Sequence, residues 1–156
     1  LYIRGNTIAG GYYNNEEASK AAIDEEGYFG TGDVASIDEQ GFLRLTDRAK
    51  DLIKSGGEWI SSIDLENRAM SHPDVENCAV IAIPHEKWDE RPLLVVVPVE
   101  GKKPSKEELI KHLEGHFAKW QMPDDVVYED DLPLTATGKV SKLTLRQKYE
   151  NYTLAS

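Results

Sequence analysis

The sequence has a single cysteine and no hydrophobic run long enough to cross a membrane. Cys78 cannot form a disulfide within the chain, so the composition indicates a reducing compartment, and we expect a cytoplasmic location. The longest apolar runs, residues 78–83 and 93–97, are much shorter than the roughly 20 residues of a membrane-spanning helix. The first residues resemble neither a secretory signal nor a transit peptide.

Basic residues are scarce relative to acidic ones. The 156 residues include 18 Lys and Arg against 28 Asp and Glu, which gives a formal net charge of −10. Nucleic acids and anionic membranes repel such a chain, so we expect neither as its main partner. A small anionic ligand can still bind, because a few well-placed cations override the mean charge. Apolar residues make up 40% of the chain, which is typical of a globular protein.

The hydrophobic pattern changes near residues 47–51. Short strands, glycine-rich turns and one helix precede this point, and helices alternate with strands after it. We therefore expect an α+β fold in which a short β-hairpin and a three-stranded sheet are flanked by helices. The predicted strands are residues 1–3, 7–8, 34–37, 42–45, 52–54, 58–60, 78–83, 93–99 and 126–128, and the predicted helices are residues 15–23, 63–71, 105–117 and 141–149.

A first polar segment, residues 28–33, places two glycines just before an aspartate, in the order Tyr-Phe-Gly-Thr-Gly-Asp. The glycines allow a sharp turn and the close approach of a ligand. The carboxylate of Asp33 can accept hydrogen bonds from two vicinal hydroxyls, as on a ribose. Taken alone, the segment is more often a plain turn that leads into the next hairpin.

A second segment, residues 47–60, lies where the composition changes. Arg48 offers a planar set of donors, and Lys50 carries a compact positive charge. Gly56 and Gly57 expose backbone amides where a slender ligand could pass. A linker followed by a tight hairpin has the same features, so these residues alone leave both interpretations open.

A third segment, residues 133–139, reads Pro-Leu-Thr-Ala-Thr-Gly-Lys and places the ammonium group of Lys139 on a loop. Its spacing does not match a phosphate-binding P-loop, and on chemistry alone Lys139 is an ordinary exposed lysine. His112 and His116 are one helical turn apart, but two histidines without a third ligand do not form a zinc site. We therefore expect no metal site.

Together, the three segments resemble the C-terminal motifs of the adenylate-forming, or AMP-binding, enzymes. Residues 29–33 match the family's aromatic-Arg-Thr-Gly-Asp pattern, with Gly30 where the arginine often stands. Residues 47–66 match its hinge motif, with Asp47 in place of a glycine, and residues 133–139 contain its Pro-x-Thr-x-x-Gly-Lys motif in full. The second segment is most similar to that of medium- and long-chain fatty acyl-CoA synthetases.

The resemblance implies a reaction and a role for each motif residue. Enzymes of this family activate a carboxylic acid with ATP, release pyrophosphate, and pass the acyl group from AMP to a thiol such as coenzyme A. Asp33 and Arg48 would bind the nucleotide, and Lys50 would be the hinge. Lys139 would be the catalytic lysine, because its charge suits the negative transition state of adenylation. The loop on the coenzyme A side would be formed by Gly56, Gly57 and Trp59.

The resemblance also implies how the chain is divided. Residues 1–46 would be the C-terminal end of the large AMP-binding domain, residues 47–51 the hinge, and residues 52–156 the mobile C-terminal lid domain. The large domain of the same protein would be the partner, and the Mg²⁺ used by the full-length enzyme would have its ligand outside this chain. The chain lacks the family's phosphate-binding loop and acyl pocket, so we expect it to be inactive alone.

Two alternatives stay open at this stage. The chain could come from another acid:thiol ligase, such as an aryl-CoA ligase, which performs the same chemistry on a different acid. It could also be a stand-alone interaction module that has kept the fold without catalysis.

Overall fold

In the computed structural model, which describes residues 1–154, every buried apolar side chain lies beyond Asp51. The chain divides between Lys50 and Asp51 into two units. The second unit therefore contains the hydrophobic core, whereas the first unit, residues 1–50, buries only Asp47, which is 3% exposed.

The first unit consists of one short helix and two separate two-stranded antiparallel sheets. Its elements are β1 (Tyr2–Ile3), α1 (Glu16–Ala22), β2 (Phe29–Gly30), β3 (Asp33–Ile37) and β4 (Leu43–Arg48). The helix begins after Asn15, whose side chain accepts a hydrogen bond from the amide of Ala18 at 3.0 Å. Strand β1 pairs with β2, and β3 pairs with β4.

The predicted strand at residues 7–8 is wrong. These residues belong to a turn, which is closed by a hydrogen bond of 3.1 Å from the amide of Ile8 to the carbonyl of Gly5. Gly5 and Asn6 are residues that favour turns, and they prevent the short apolar pair from extending as a strand.

The second unit is built on one five-stranded sheet. Its elements are β5 (Ile53–Ser55), β6 (Glu58–Ile60), α2 (Ser62–Met70), β7 (Val75–His85), β8 (Asp89–Pro98), α3 (Lys106–Leu113), a single 3₁₀ turn (Lys119–Gln121), β9 (Asp125–Tyr128) and α4 (Lys142–Lys148). Strand β7 pairs with the whole length of β8. The other edge of β8 pairs first with β5 and then, in parallel, with β9.

The expected separation between a hairpin and a three-stranded sheet is therefore wrong. Strand β8 begins at Asp89, before the apolar run that predicts it, and Asp89 pairs with Ser55 of the β5–β6 hairpin. This pairing joins the hairpin to the other three strands. The start of β8 was not predicted, because strand prediction depends on apolar residues and β8 begins with the polar residues Asp89, Glu90 and Arg91.

Both faces of the sheet are covered, as the nearly continuous apolar runs predict. Side chains alternate along β8, so that Leu94 and Val96 pack in one core cluster, whereas Leu93 and Val95 pack in another. Helices α2 and α3 contribute to the first cluster, and Leu145 of α4 contributes to the second.

The three helices of this unit begin at serine caps, which are Ser61, Ser105 and Ser141. The Ser-x-x-Glu pattern of residues 105–108 predicts a capping box, which is confirmed, since Ser105 and Glu108 exchange hydrogen bonds at 2.8 and 3.2 Å. Helix α3 ends at Leu113 and not at Phe117, because Gly115 adopts the left-handed conformation with φ of +79°. Phe117 still packs against the same core.

Candidate functional site

The structure brings Asp33 and Arg48 together, although 15 residues separate them in sequence. They are directly opposite each other on β3 and β4, and Arg48 Nε lies 3.4 Å from Asp33 Oδ1. The side chain of Asp33 is 29% exposed and that of Arg48 is 53% exposed, so both can still reach a ligand. A carboxylate beside a guanidinium suits a ligand that offers hydroxyls to one group and negative charge to the other.

A cleft of about 590 Å³ lies beside Asp33 in the first unit, and Gly30, Gly32 and Ala49 are among its lining residues. Gly30 stands where the family pattern often has arginine. A Cβ added to Gly30 would lie 3.2 Å from the ring of Tyr2, which also lines the cleft. A side chain at position 30 would therefore require a small shift of the Tyr2 ring, which is largely exposed.

Lys50 is exposed and is the last residue of the first unit. Its neighbour Asp51 is fixed within the second unit, because Arg146 Nη1 of helix α4 donates to Asp51 Oδ1 at 2.8 Å. The first residue of the second unit is therefore anchored by a hydrogen-bonded ion pair.

The segment that contains Lys139 is a tight loop. The amide of Thr135 donates to the carbonyl of Lys139 at 2.7 Å, and the amide of Lys139 donates to Thr135 Oγ1 at 3.2 Å. Gly138 has a φ of +77°, a conformation that favours glycine. The Lys139 side chain is exposed and has no ion-pair or hydrogen-bond partner within residues 1–154. Its backbone is held while its ammonium group stays available to a ligand.

Helix α4 follows this loop directly and is attached to helix α2 by a nearly buried ion pair. Lys142 Nζ lies 2.7 Å from Glu66 Oε1 and donates to Ser62 Oγ at 2.8 Å. Glu66 Oε1 also accepts the amide of Val80 in β7 at 2.7 Å. The helix therefore fixes the C-terminal end of the Lys139 loop.

Gly56 and Gly57 form the turn of the β5–β6 hairpin, with φ of +60° and +91°. The amide of Gly56 donates to the carbonyl of Trp88 at 2.8 Å. A Cβ on Gly56 would lie 2.9 Å from the Trp88 ring, a distance at which something must move. Trp59 lies on β6 of the same hairpin and is 56% exposed. The structure thus places the three residues of the predicted coenzyme A loop on one hairpin, and places Lys139 on a separate loop.

A cleft of about 310 Å³ opens beside this hairpin, and sequence reasoning missed it. Its walls include Gly56, the rings of Trp88 and Trp120, and the pair Arg91 and Asp124, but not Trp59. The only sequence signal was the presence of two tryptophans in polar segments.

Cys78 does not provide a nucleophile. Burial, together with the nearby Glu66 carboxylate, raises the pKa of its thiol to about 12, so that the reactive thiolate does not form near neutral pH. Residues 1–154 also contain no group of three His, Cys, Asp or Glu side chains that could hold a metal ion. No helix in that range is long and apolar enough to cross a membrane.

The comparison with protein families assigns the class. Residues 64–139 match the AMP-binding enzyme C-terminal domain. These residues belong to this family, and the resemblance to adenylate-forming enzymes is confirmed.

Individual relatives are acyl-CoA ligases. The chain is 56% identical over 153 residues to a long-chain-fatty-acid–CoA ligase of Thermus thermophilus, covering 97% of this chain and 28% of that protein. It is 50% identical over 151 residues to a 3-methylmercaptopropionyl-CoA ligase of Ruegeria lacuscaerulensis, again covering 97% of this chain and 28% of the relative. The chain therefore spans little more than a quarter of the length of these curated relatives.

A solved structure shows the same fold. ATP-bound MatB from Rhodopseudomonas palustris is 33% identical and superimposes with a TM-score of 0.88, covering 96% of this chain and 30% of MatB. The coarser expectation of an α+β domain, with helices and antiparallel sheets as in the C-terminal part of these ligases, is thus confirmed.

Proposed function

We propose that the chain supplies the lid and the catalytic lysine of an ATP-dependent acyl-CoA synthetase. The reaction joins a carboxylic acid to AMP with release of pyrophosphate, and then transfers the acyl group from AMP to coenzyme A. The observation that carries the proposal is Lys139, an exposed ammonium group at the end of a complete family motif on a hydrogen-bonded loop. The relatedness to acyl-CoA ligases supports it.

In the first half-reaction, a carboxylate oxygen of the acid attacks the α-phosphorus of ATP, and pyrophosphate leaves. Two negatively charged groups are brought together in this step, and negative charge builds on the oxygens of the α-phosphate and on the departing pyrophosphate. The ammonium group of Lys139 would lie between them and stabilise this charge. Lysine suits this role because it carries a compact charge on a long, movable side chain.

Asp33 and Arg48 would form the nucleotide-binding pair. The Asp33 carboxylate would accept hydrogen bonds from the two ribose hydroxyls, and Arg48 would contact the same nucleotide. Their cross-strand distance of 3.4 Å and their partial exposure support one shared ligand. The related MatB structure is bound to ATP, and this supports ATP as the ligand of the pair.

In the second half-reaction, the sulfur of coenzyme A attacks the acyl carbonyl carbon, and AMP leaves. Rotation at Lys50 would withdraw Lys139 and bring the Gly56–Gly57 hairpin to the reaction centre. The absence of side chains at Gly56 and Gly57 would leave room for the pantetheine arm. Trp59, exposed on the same hairpin, would border this passage.

The division of the chain follows the same scheme. We propose that residues 1–46 are the C-terminal end of the large AMP-binding domain, residues 47–51 the hinge, and residues 52–156 the lid. The scarcity of buried side chains in the first unit supports this division, since such a segment needs a larger domain to pack against. Apolar side chains that stay exposed there include Ile37, Phe42 and Leu45.

The family reaction uses Mg²⁺, and the residues present do not form a site for it. No group of three candidate ligands occurs within residues 1–154, so we assign no Mg²⁺ ligand and no step through the metal to this chain. A cytoplasmic location stays a prediction of this proposal, as does the large domain as partner.

The test uses the full-length protein with ATP, coenzyme A and a panel of aliphatic and aromatic acids. We expect pyrophosphate release and acyl-CoA formation with at least one aliphatic acid. Activity with aromatic acids alone would favour an aryl-CoA ligase, and inactivity with every acid would favour a non-catalytic module. The 156-residue chain alone should release no pyrophosphate, and turnover by it would contradict the division of roles proposed above.

A further inference from the structure

We infer that Arg91 is the positioning residue for the Gly56–Gly57 hairpin, and that it serves the thioester-forming half-reaction rather than adenylation. The second part of this inference rests on the function proposed above. Arg91 has no match in the family motifs that the sequence contains, and it is among the few charged side chains that are buried, with 7% exposure.

The position of Arg91 along β8 is the first observation. On the same edge of β8, strand β5 pairs at Asp89, and strand β9 begins to pair at Leu93. Arg91 lies between these two points, where this edge of β8 pairs with neither β5 nor β9. The side chain is thus located at the junction between the hairpin and the rest of the sheet.

The guanidinium of Arg91 connects both sides of this junction. It forms a two-pronged pair with Asp124, with Nε donating to Oδ2 at 2.9 Å, just before β9. Nη1 donates to Ser55 Oγ at 2.8 Å, at the end of β5. The remaining donors reach the carbonyls of Trp120 and Met122, the latter at 3.0 Å. Five hydrogen bonds on a buried guanidinium leave it little freedom.

The turn of the hairpin depends on this connection. Ile53 and Ile60 pack in the core at the opposite end of the hairpin, whereas few links to β8 hold the end that carries Gly56. Strand β5 pairs with β8 at a single position, Ser55 with Asp89. The amide of Gly56 donates to the carbonyl of Trp88, and the remaining links between Lys54 and β8 are solvent-exposed. The bond from Arg91 to Ser55 is the buried one, and Ser55 directly precedes Gly56.

Arg91 also shapes the neighbouring cleft. It lines that cleft together with Trp88 and Trp120, and its bonds to the backbone of Trp120 and to Ser55 fix two of the walls. Loss of the planar guanidinium should therefore move the hairpin and the cleft together, while the Lys139 loop, which is attached through α4, keeps its place.

Three substitutions test this. Ser55→Ala removes only the hydroxyl that Arg91 binds, and Arg91→Lys keeps the charge but loses the five-donor fork. Arg68→Lys is the matched control, because Arg68 also donates from a partly buried side chain to a backbone carbonyl of the same unit but does not contact the hairpin. Each is placed in the full-length protein, and each is also placed in this chain for hydrogen exchange.

The first readout separates the two half-reactions. Adenylation is followed by pyrophosphate release, and thioester formation by the reaction of preformed octanoyl-AMP with varied coenzyme A. We expect Ser55→Ala and Arg91→Lys to lower kcat/KM for coenzyme A on the order of tenfold, since small misplacements of a site are costly. Adenylation should change less than about twofold, and Arg68→Lys should change neither step. An equal loss of both steps in the two hairpin variants would overturn the inference.

The second readout is hydrogen exchange of the Gly56 and Gly57 amides, which requires no enzymatic activity. We expect faster exchange at Gly56 in Ser55→Ala and Arg91→Lys than in the parent chain and in Arg68→Lys. Unchanged exchange would overturn the positioning role. A full-length parent protein that forms no acyl-adenylate would instead overturn the proposed function, and hydrogen exchange would still decide whether Arg91 positions the hairpin.

Discussion

Lys142 and Glu66, which are 76 residues apart in sequence, form an ion pair of 2.7 Å between helix α4 and helix α2, with side chains only 13% and 17% exposed. Lys142 lies three residues after Lys139, at the start of the helix that follows the Lys139 loop. This pair fixes the start of α4, and with it the C-terminal end of the loop that presents Lys139.

Replacement of Lys142 by methionine should therefore destabilise the second unit. It would leave the Glu66 carboxylate nearly buried without its cation, and we expect a loss of about 3 kcal/mol in the free energy of unfolding. Chemical denaturation of the chain measures this value. Lys102→Met is the control, because Lys102 and its partner Asp74 have side chains that are 58% and 32% exposed, and loss of this pair should cost less than about 1 kcal/mol. Equal costs for the two variants would contradict the structural role of Lys142.

Asp33→Asn should weaken nucleotide binding with little effect on folding. The neutral amide loses charge-assisted hydrogen bonds to the ribose, which are worth roughly 2 kcal/mol, or about 30-fold in the KM for ATP of the full-length enzyme. Stability should hardly change, because the ion pair with Arg48 is exposed and such pairs contribute little. An unchanged KM for ATP would show that Asp33 does not bind the nucleotide.

Gly56→Ala should distort the hairpin through its contact with Trp88. The new Cβ would lie 2.9 Å from the indole, in addition to a left-handed φ of +60°, and we expect a cost of about 2 kcal/mol in stability. Removal of the ring by Trp88→Ala in the same molecule should recover part of that loss.

Gly57→Ala is the comparison for this experiment. Gly57 has a φ of +91° and open space around its Cβ position, so only backbone strain opposes the substitution. Trp88→Ala should not relieve that strain. Double-mutant cycles measure how much stability Trp88→Ala recovers in each glycine variant. Equal recovery in Gly57→Ala and Gly56→Ala would show that the Trp88 contact does not cause the destabilisation by Gly56→Ala.

Alkaline pH should weaken the attachment of the C-terminal segment to β9. Burial and the hydrogen bond to Asp125, at 2.7 Å, raise the pKa of Tyr152 from 10 to about 12. The folded state therefore holds this proton more tightly than the unfolded state, so the contribution is complete below pH 10 and is lost as the pH rises towards 12. Denaturation at pH 9 and 11 should show a smaller loss of stability for Tyr152→Phe than for the parent chain. An equal loss of stability in Tyr152→Phe and in the parent chain would contradict the assignment of this pH dependence to Tyr152.

The sequence predicted the elements better than their connections. Apolar runs located the centres of β7 and β8, and the Ser105–Glu108 capping box located the start of α3, because these signals are local. The start of β8 at Asp89 and its pairing with Ser55 were not predictable in this way, since they depend on contacts across 34 residues of sequence.

The same distinction applies to the candidate site. Lys139, Asp33 and Arg48 were found because each lies in a contiguous motif. Arg91 was missed because its partners, Ser55, Trp120, Met122 and Asp124, come from distant parts of the sequence. No pattern in the residues around Arg91 indicates that they meet.

The most direct test of the central claim is Lys139→Ala in the full-length enzyme, with the two half-reactions measured separately. The substitution should be neutral for folding, because Lys139 is exposed and its side chain has no partner within residues 1–154. We expect pyrophosphate release to fall by at least about 100-fold, whereas thioester formation from preformed acyl-adenylate and coenzyme A stays near the parent rate. An equal loss of both half-reactions, or no loss of either, would contradict the role of Lys139 in adenylation.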